Sequence, residues 1–139
     1  MSELYRTTRS VEFRDTDAAG IAHFSAFFFY MESVEHEFLR SLGLSVLGED
    51  EMGSISWPRV SASCDYRSAV RFEDVLDISL RVVRLGEKSV TYEFEFACAG
   101  RNVAIGKMIA VCCRFPAGVP PESIPIPAAI EAKLRPFVA

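Results

Sequence analysis

The amino-acid sequence predicts an α+β fold in which one long helix packs on a five-stranded antiparallel sheet. The first observation is a stretch near the N-terminus whose apolar residues recur every three to four positions. The second is a series of later runs in which apolar and polar residues alternate, separated by turn signals. The chain has 139 residues and contains no polar or Pro/Ser-rich linker, so we expect residues 1–139 to form one domain.

The first strand is predicted over residues 5–14, YRTTRSVEFR, where apolar and charged residues alternate. It ends at the turn signal DTDAAG, residues 15–20. The next stretch, from His23 to Leu42, has helical periodicity and predicts a helix of roughly five turns. Gly43 follows at the position where a glycine often caps a helix. The polar helix residues expected to be solvated are Glu32, Glu35, His36 and Glu37.

Four consecutive aromatic residues, Phe27 to Tyr30, lie within the predicted helix. At steps of about 100° they cover most of its circumference, so the sheet of one chain is not enough to bury them. We therefore expect both a partner subunit and a bound apolar ligand to cover the first turns of the helix.

Four strand-like runs follow an irregular crossover that is predicted for residues 44–57. The second and third runs alternate most regularly and are joined by LGEK, which predicts a hairpin. The fourth is apolar on both faces, which indicates a central strand or one covered on both sides. A short terminal helix is predicted from about Pro127, because proline suits the first turn of a helix. The four runs are Arg59–Tyr66, Val75–Leu85, Val90–Cys98 and Val103–Phe115.

Composition argues against several classes of protein. The formal net charge is −4, whereas a nucleic-acid-binding surface is usually basic. The N-terminal residues lack an apolar signal region, and no stretch of about 18 uncharged apolar residues occurs. We therefore expect no nucleic-acid partner, no membrane insertion and a cytoplasmic location. The four cysteines form no CxxC pair, so we expect buried free thiols.

Residues 15–24, DTDAAGIAHF, place two carboxylates and a histidine directly before the predicted helix. A helix N-terminus offers unpaired N–H groups and a partial positive charge, which suit a developing oxyanion. If the helix begins near His23, the N–H groups of His23 and Phe24 point toward this loop and would polarise a carbonyl group. Asp17 could then act as nucleophile or as general base for water, and Gly20 permits the close backbone approach that this requires.

Each of these residues also has a structural interpretation. Aspartate, threonine and glycine before a helix are ordinary capping and turn residues, and Asp15 is predicted to be structural. His23 suits either a helix-start histidine or a substrate contact. The preferred interpretation of the aromatic run is packing in the hydrophobic core. The second interpretation is that it lines an acyl pocket. Arginines near strand ends suit either scattered surface charge or phosphate contacts, and they include Arg59, Arg67 and Arg71.

Three segments of the chain resemble a known enzyme family: FRDTDAAGIAHF, ESVEHEFLRSLGL and WPRVSASCDYRSAVRFED. They are similar to the hotdog-fold acyl-CoA thioesterases of the 4-hydroxybenzoyl-CoA thioesterase type, which include the Tol-Pal-cluster branch. The similarity runs from about Arg9 to Phe115. Its most specific part is the signature D-x-D-x-x-G-[IV], which this chain matches from Asp15 to Ile21.

The resemblance implies a hotdog fold, in which the sheet wraps around the helix, and an enzyme that hydrolyses an acyl-CoA thioester without a metal or redox cofactor. Asp17 matches the family's catalytic aspartate, and Phe24 or its neighbour His23 matches the amide that holds the carbonyl oxygen. Family dimers pair two sheets edge to edge with active sites at the interface, so a homodimer or homotetramer is expected. The predicted substrate-binding residues are Gly20, Ile21, Phe27 and, near the CoA nucleotide, Arg59, Arg67 and Arg71.

Two alternatives to a thioesterase follow from the same residues. A hotdog enoyl-CoA hydratase also needs an aspartate and a histidine near a helix start, but the spacing from Asp17 to His23 and the lack of an Asn-Pro segment count against it. A non-catalytic acyl-CoA binding or sensing module would need no carboxylate at the scissile bond. The sequence does not identify the acyl group of the substrate. This chain has His23 where benzoyl-specific enzymes of the family carry an aromatic residue. The aromatic run would also suit an aromatic ring and an aliphatic chain equally.

Overall fold

The computed structural model describes residues 2–116 and 119–139. Its helices are α1, Ala26–Ser41, and α2, Ala128–Leu134, and short 3₁₀ turns cover Phe13–Asp15 and Arg135–Phe137. In chain order the strands of the described part are β1 Tyr5–Ser10, β2 Leu47–Asp50, β3 Gly53–Ser56, β4 Arg59–Tyr66, β5 Val75–Leu85, β6 Ser89–Cys98, β7 Arg101–Val111, β8 Cys113–Arg114 and β9 Glu122–Ser123.

The main layer is a five-stranded antiparallel sheet in the order β1-β5-β6-β7-β4. Its inward residues alternate along the strands, as in β5, where Leu76, Ile78 and Leu80 are buried. α1 contributes Met31 and Phe38 to the same core. The predicted α+β architecture of one long helix on five antiparallel strands is therefore confirmed. α2 begins at Ala128, directly after Pro127, as predicted.

The first strand is shorter than the sequence predicts. β1 stops at Ser10, one residue before the pairing becomes irregular. The Val11 N–H donates to Asp74 O at 2.8 Å, but the Asp74 N–H donates to Arg71 O at 3.0 Å instead of returning a bond to Val11. Residues 13–15, predicted as strand, form a 3₁₀ turn instead. This early end frees residues 11–25 to form the connection that leads into α1.

A second, smaller sheet joins β2, β3, β8 and β9, all antiparallel. The prediction of an irregular crossover over residues 44–57 is wrong, because this segment contains the hairpin of β2 and β3. The predicted last strand, 103–115, is divided: β7 ends at Val111, Cys112 donates its N–H to Lys88 O at 2.7 Å, and β8 follows. β7 lies inside the main sheet between β6 and β4, as its apolar composition indicated.

Gly106 of β7 lies directly beneath Met31 of α1. A Cβ atom built on Gly106 would overlap Met31 Sδ, and two carbons of the same side chain would lie 3.2 and 3.4 Å from it. Met31 is fully buried, so its side chain has little free space to move into. The missing side chain at position 106 therefore allows α1 to lie this close to β7.

Glu35 of α1 is the one charged side chain that is fully buried among the described residues. Its Oε1 accepts a hydrogen bond from the Arg59 guanidinium, which also donates to Trp57 O. Its Oε2 has no partner within residues 2–116 and 119–139. The expectation that Glu35 is solvated is wrong, because its side chain turns toward Arg59 of β4; His36 and Glu37 are half-buried, and only Glu32 is exposed. Burial raises the pKa of Glu35 to about 7, although Arg59 acts in the opposite direction.

This buried carboxyl predicts how the free energy of unfolding depends on pH. With its pKa raised from 4.5 to about 7, Glu35 binds more protons in the folded chain than in the unfolded chain between these pH values. Its contribution to stability is therefore fully present below about pH 4.5 and falls by up to about 3 kcal/mol as the pH rises to about 7. Urea unfolding between about pH 5 and pH 8 measures this slope. Glu35→Gln, which does not ionise, is expected to flatten it, and an unchanged slope in the variant would assign the effect to other groups.

The cysteines are free, as predicted: Cys98, Cys112 and Cys113 are buried, and Cys64 is half-buried. In the parts of the chain that the structure describes, no helix is long and apolar enough to cross a membrane.

Candidate active site

Asp17 lies in a tight turn between β1 and α1. Its C=O accepts the Gly20 N–H at 2.9 Å, and its N–H donates to Ile21 O at 2.9 Å. Gly20 has a φ of +80°, a conformation that residues with a Cβ atom rarely adopt. The Asp17 carboxylate is oriented by one bond, because its Oδ1 accepts the Ala19 N–H at 2.8 Å. The turn therefore fixes Asp17, while Oδ2 has no partner in the described part of the chain.

Asp17 lines a cavity of about 370 Å³ next to the start of α1. One wall comes from the loop before α1 and the other from the segment that follows β4. The Ala22 N–H donates to Val70 O at 2.8 Å and joins the two walls. The apolar lining includes Ile21, Phe24, Phe27, Tyr66 and Val70. The cavity thus places a carboxylate beside an apolar surface.

The geometry distinguishes the two amides that were candidates for holding a carbonyl oxygen. The His23 N–H donates to Asp15 O at 2.7 Å and is therefore occupied. The Phe24 N–H donates to no acceptor in residues 2–116 and 119–139, and Phe24 lines the cavity of Asp17. α1 begins at Ala26 rather than near His23, because the residues between them form a turn closed by the Ala26 N–H on His23 O at 2.9 Å. The free amide belongs to this turn.

The His23 side chain lines a different groove. Its Nδ1 lies 2.8 Å from Ser25 Oγ, and its ring stacks on that of Phe24 with centroids 4.4 Å apart. The groove has a volume of about 950 Å³ and is lined by Asp15 and Phe29 but not by Asp17. The described residues therefore do not bring His23 and Asp17 into one cavity, which counts against a hydratase that needs both.

Asp15 has the contacts of a structural residue. Its Oδ2 accepts hydrogen bonds from the Glu12 N–H and from the Tyr30 hydroxyl, both at 2.9 Å. Burial, with the bond to Asp15 as a second cause, raises the pKa of Tyr30, so the phenol keeps its proton and remains a donor. Asp15 thus ties the loop to α1, in line with the role predicted for it.

The three arginines predicted to meet CoA do not form one cluster. Arg67 is exposed and lines the cavity of Asp17. Arg71 is exposed in the same connection between β4 and β5. Arg59 lies at the opposite end of β4, and its guanidinium is bound to Glu35 and Trp57 O. The structure therefore brings Arg67 to the site, whereas an ion pair holds Arg59 elsewhere.

The aromatic run is divided between core and surface. Phe27 and Tyr30 are buried, whereas Phe29 is 68% exposed and Phe24, just before the run, is 63% exposed. The core of one chain therefore buries only part of this aromatic surface. This agrees with the argument that the sheet of one chain is not enough to bury the aromatic run. The partner subunit itself stays a prediction.

Tyr66 is a residue of this site that sequence reasoning missed. Its hydroxyl donates to Phe24 O at 2.7 Å, and its ring packs edge-on against Phe27 with centroids 5.4 Å apart. The one available signal is its position at the end of a predicted strand, in CDYRSAV. That signal does not show which part of α1 the strand end meets.

Comparison with known proteins identifies the family. The sequence profile of the thioesterase-like superfamily matches residues 11–134. The chain belongs to this superfamily. The matched range contains both walls of the Asp17 cavity. The prediction of a thioesterase is confirmed, as is the resemblance at the level of the superfamily.

Relatives of this thioesterase have named activities. A 1,4-dihydroxy-2-naphthoyl-CoA hydrolase from Synechococcus sp. (strain CC9605) is 34% identical over 125 residues, which cover 81% of this chain and 84% of that protein. The structure of a 1,4-dihydroxy-2-naphthoyl-CoA thioesterase from Synechocystis aligns with a TM-score of 0.83 at 22% identity, covering 96% of each chain. That of a gentisyl-coenzyme A thioesterase aligns with a TM-score of 0.78 at 29% identity, covering 95% of this chain and 99% of the other. The predicted hotdog fold is confirmed in its main sheet and long helix, but the prediction lacked the second sheet.

Proposed function

We propose that this thioesterase hydrolyses an aryl-CoA to an aromatic carboxylate and free CoA, with Asp17 as its catalytic carboxylate. The observation that carries the proposal is that Asp17 and the unoccupied Phe24 N–H belong to residues lining one small cavity. A thioester carbonyl bound there would accept the Phe24 N–H and be attacked at carbon from the Asp17 side.

The Asp17 carboxylate can drive the reaction by two routes. As a nucleophile, its oxygen forms a bond to the thioester carbon, the CoA thiolate leaves, and water then cleaves the mixed anhydride. As a general base, it accepts a proton from the water whose oxygen bonds to the thioester carbon, and the CoA thiolate leaves as the C–S bond breaks. Both routes consume one water and develop negative charge on the carbonyl oxygen. The Phe24 N–H therefore binds the transition state more strongly than the substrate.

Two observations support an aromatic acyl group. Named relatives act on 1,4-dihydroxy-2-naphthoyl-CoA and on gentisyl-CoA, whose acyl groups are aromatic. In this chain the rings of Phe27 and Tyr66, with Val70, give the cavity flat and branched apolar surfaces on which a planar ring can pack. The volume of about 370 Å³ lies within the usual range for small-ligand sites.

The proposal also covers how the protein binds the CoA part of the substrate and how it forms an oligomer. Arg67 is exposed at the cavity, so we assign it to the phosphates of CoA, with Arg71 as a second contact. β4 forms an edge of the main sheet, so the backbone groups on its outer side are available to pair with a second copy. Val60 of the same strand is 64% exposed. We therefore propose that the expected homodimer, or a homotetramer built from such dimers, pairs through β4. The expected cytoplasmic location stays part of the proposal.

Release of free thiol from a panel of acyl-CoAs tests the proposal. The panel contains 1,4-dihydroxy-2-naphthoyl-CoA, a hydroxybenzoyl-CoA, and short and long aliphatic acyl-CoAs. We expect the aromatic members to have the highest kcat/KM. Turnover of aliphatic members alone would overturn the aryl assignment and leave the thioesterase. Tight binding without turnover of any member would favour an acyl-CoA binding or sensing module.

A further inference from the structure

Tyr66 joins the end of β4 to the turn that carries the free amide. Its hydroxyl donates to Phe24 O at 2.7 Å. Within residues 2–116 and 119–139 this is the one hydrogen bond that Phe24 makes. Its side chain is 63% exposed and packs on the ring of its chain neighbour His23, with centroids 4.4 Å apart. The Tyr66 ring also contacts Phe27, the second residue of α1. Tyr66 is therefore the main attachment of Phe24 to the rest of the site.

The hydrogen bonds within the loop hold His23, but they do not hold the carbonyl group of Phe24. His23 is held on both sides, because its N–H donates to Asp15 O at 2.7 Å and its C=O accepts the Ala26 N–H at 2.9 Å. A planar peptide with a fixed carbonyl also has a fixed N–H direction, so these bonds set the axis of the Phe24 N–H. The bond from Tyr66 holds the next peptide, between Phe24 and Ser25, against β4.

We infer that Tyr66 is a positioning residue for the reaction: the bonds of His23 set the direction of the Phe24 N–H, and the bond from Tyr66 holds Phe24 against β4, so that this N–H keeps its place beside the substrate carbonyl oxygen. The inference rests on the proposed function, since it assigns a role within the same site. Tyr66 transfers no proton: partial burial raises the pKa of its phenol to about 12, so the group remains a hydrogen-bond donor at neutral pH. Its action is on the geometry of the amide, and it is expected to appear in kcat rather than in KM.

Tyr66→Phe removes the hydroxyl and keeps the ring against Phe27. Because a neutral hydrogen bond typically corresponds to a factor of about five, we expect kcat to fall about fivefold and KM to change by less than about twofold. Tyr5→Phe is the matched control, because the Tyr5 hydroxyl is also bonded to α1, at Glu37, but does not contact the cavity. It is expected to leave kcat unchanged.

A spectroscopic measurement separates positioning from a general loss of structure. The carbonyl stretching frequency of an aroyl-CoA bound to Asp17→Asn reports the strength of the hydrogen bond to the carbonyl oxygen. We expect a lower frequency in this complex than in free aroyl-CoA, and a shift back toward the free value when Tyr66→Phe is added. Tyr5→Phe in the same background is expected to give no shift. The measurement concerns the folded, ligand-bound protein, so a change in stability alone does not move it.

The possible outcomes have different meanings. An inactive Asp17→Asn together with a Tyr66→Phe enzyme of wild-type kcat and carbonyl frequency would overturn the positioning role and leave the proposed function intact. A lower kcat with an unchanged carbonyl frequency would also overturn it, since the loss would then come from elsewhere. A wild-type rate in Asp17→Asn would instead contradict the proposed function itself.

Discussion

Replacing Asp17 by asparagine is expected to lower kcat by about a thousandfold and to leave KM within about threefold of the wild-type value. Asparagine has the size of aspartate, and its amide oxygen can still accept the Ala19 N–H, so the turn is expected to keep its shape. What the variant loses is the negative oxygen that we propose to attack the thioester carbon or to take a proton from water. Steady-state thiol release with the best aromatic acyl-CoA measures the loss.

Asp15→Asn is the matched control for this experiment, because it makes the same chemical change two positions away in the same loop. Its amide oxygen can accept the bonds from Glu12 and Tyr30, so a loss in kcat of less than about tenfold is expected. The assignment of Asp17 would be wrong if Asp17→Asn kept more than a tenth of the wild-type kcat. A thousandfold loss in Asp15→Asn alone would move the catalytic role to that residue.

Gly106→Ala is expected to lower the free energy of unfolding by about 1–3 kcal/mol. The added methyl group would overlap Met31 Sδ, and Met31 is fully buried under α1, so either the side chain leaves its position or α1 moves away from β7. Urea unfolding followed by circular dichroism measures the change. Gly48→Ala is the control, because its new methyl group would meet no atom closer than 3.9 Å, and it is expected to be neutral or slightly stabilising.

A double-mutant cycle tests the cause of the Gly106 effect. Met31→Ala alone is expected to cost about 2–5 kcal/mol, because it leaves a cavity in the core. If overlap with Met31 is the reason for the Gly106→Ala loss, the double variant will be less destabilised than the sum of the two single variants. Additive losses would show that the glycine is needed for another reason, such as the backbone of β7.

The main sheet could be predicted where the pattern of residues reports burial. The bounds of β4 and β5 agree with the prediction, and β6 differs by one residue, because turn residues interrupt the chain at both ends of each run. The hairpin of β2 and β3 was missed for the opposite reason. Its residues are mostly exposed, and Ile55 alone is buried, so no alternation marks the strands. The two strands are formed by pairing with each other and with β8, which a single segment does not reveal.

The part of the candidate site whose residues are close together in sequence could be predicted. Asp17, Gly20 and Phe24 lie within eight consecutive positions. Gly20 closes the turn on Asp17, and Asp17 and Phe24 line one cavity. The occupancy of the His23 N–H was not predictable, because it depends on how the loop folds back on Asp15. Tyr66 is 42 residues from Phe24, and only the position of β4 beside α1 brings the two together. Spacing in sequence carries no information about such a contact.

The two walls of the cavity have separate origins in the chain, and this has a consequence for how new specificities arise. The Asp17 carboxylate and the free Phe24 N–H belong to the loop before α1, whereas Ser68, Ala69 and Val70 belong to the segment after β4. Side-chain changes in that second segment alter the space for an acyl group, whereas the bond that joins the two walls, from the Ala22 N–H to Val70 O, uses the backbone. A duplicated gene could therefore acquire a different substrate through a few changes there, and a directed-evolution library confined to these three positions would sample that route.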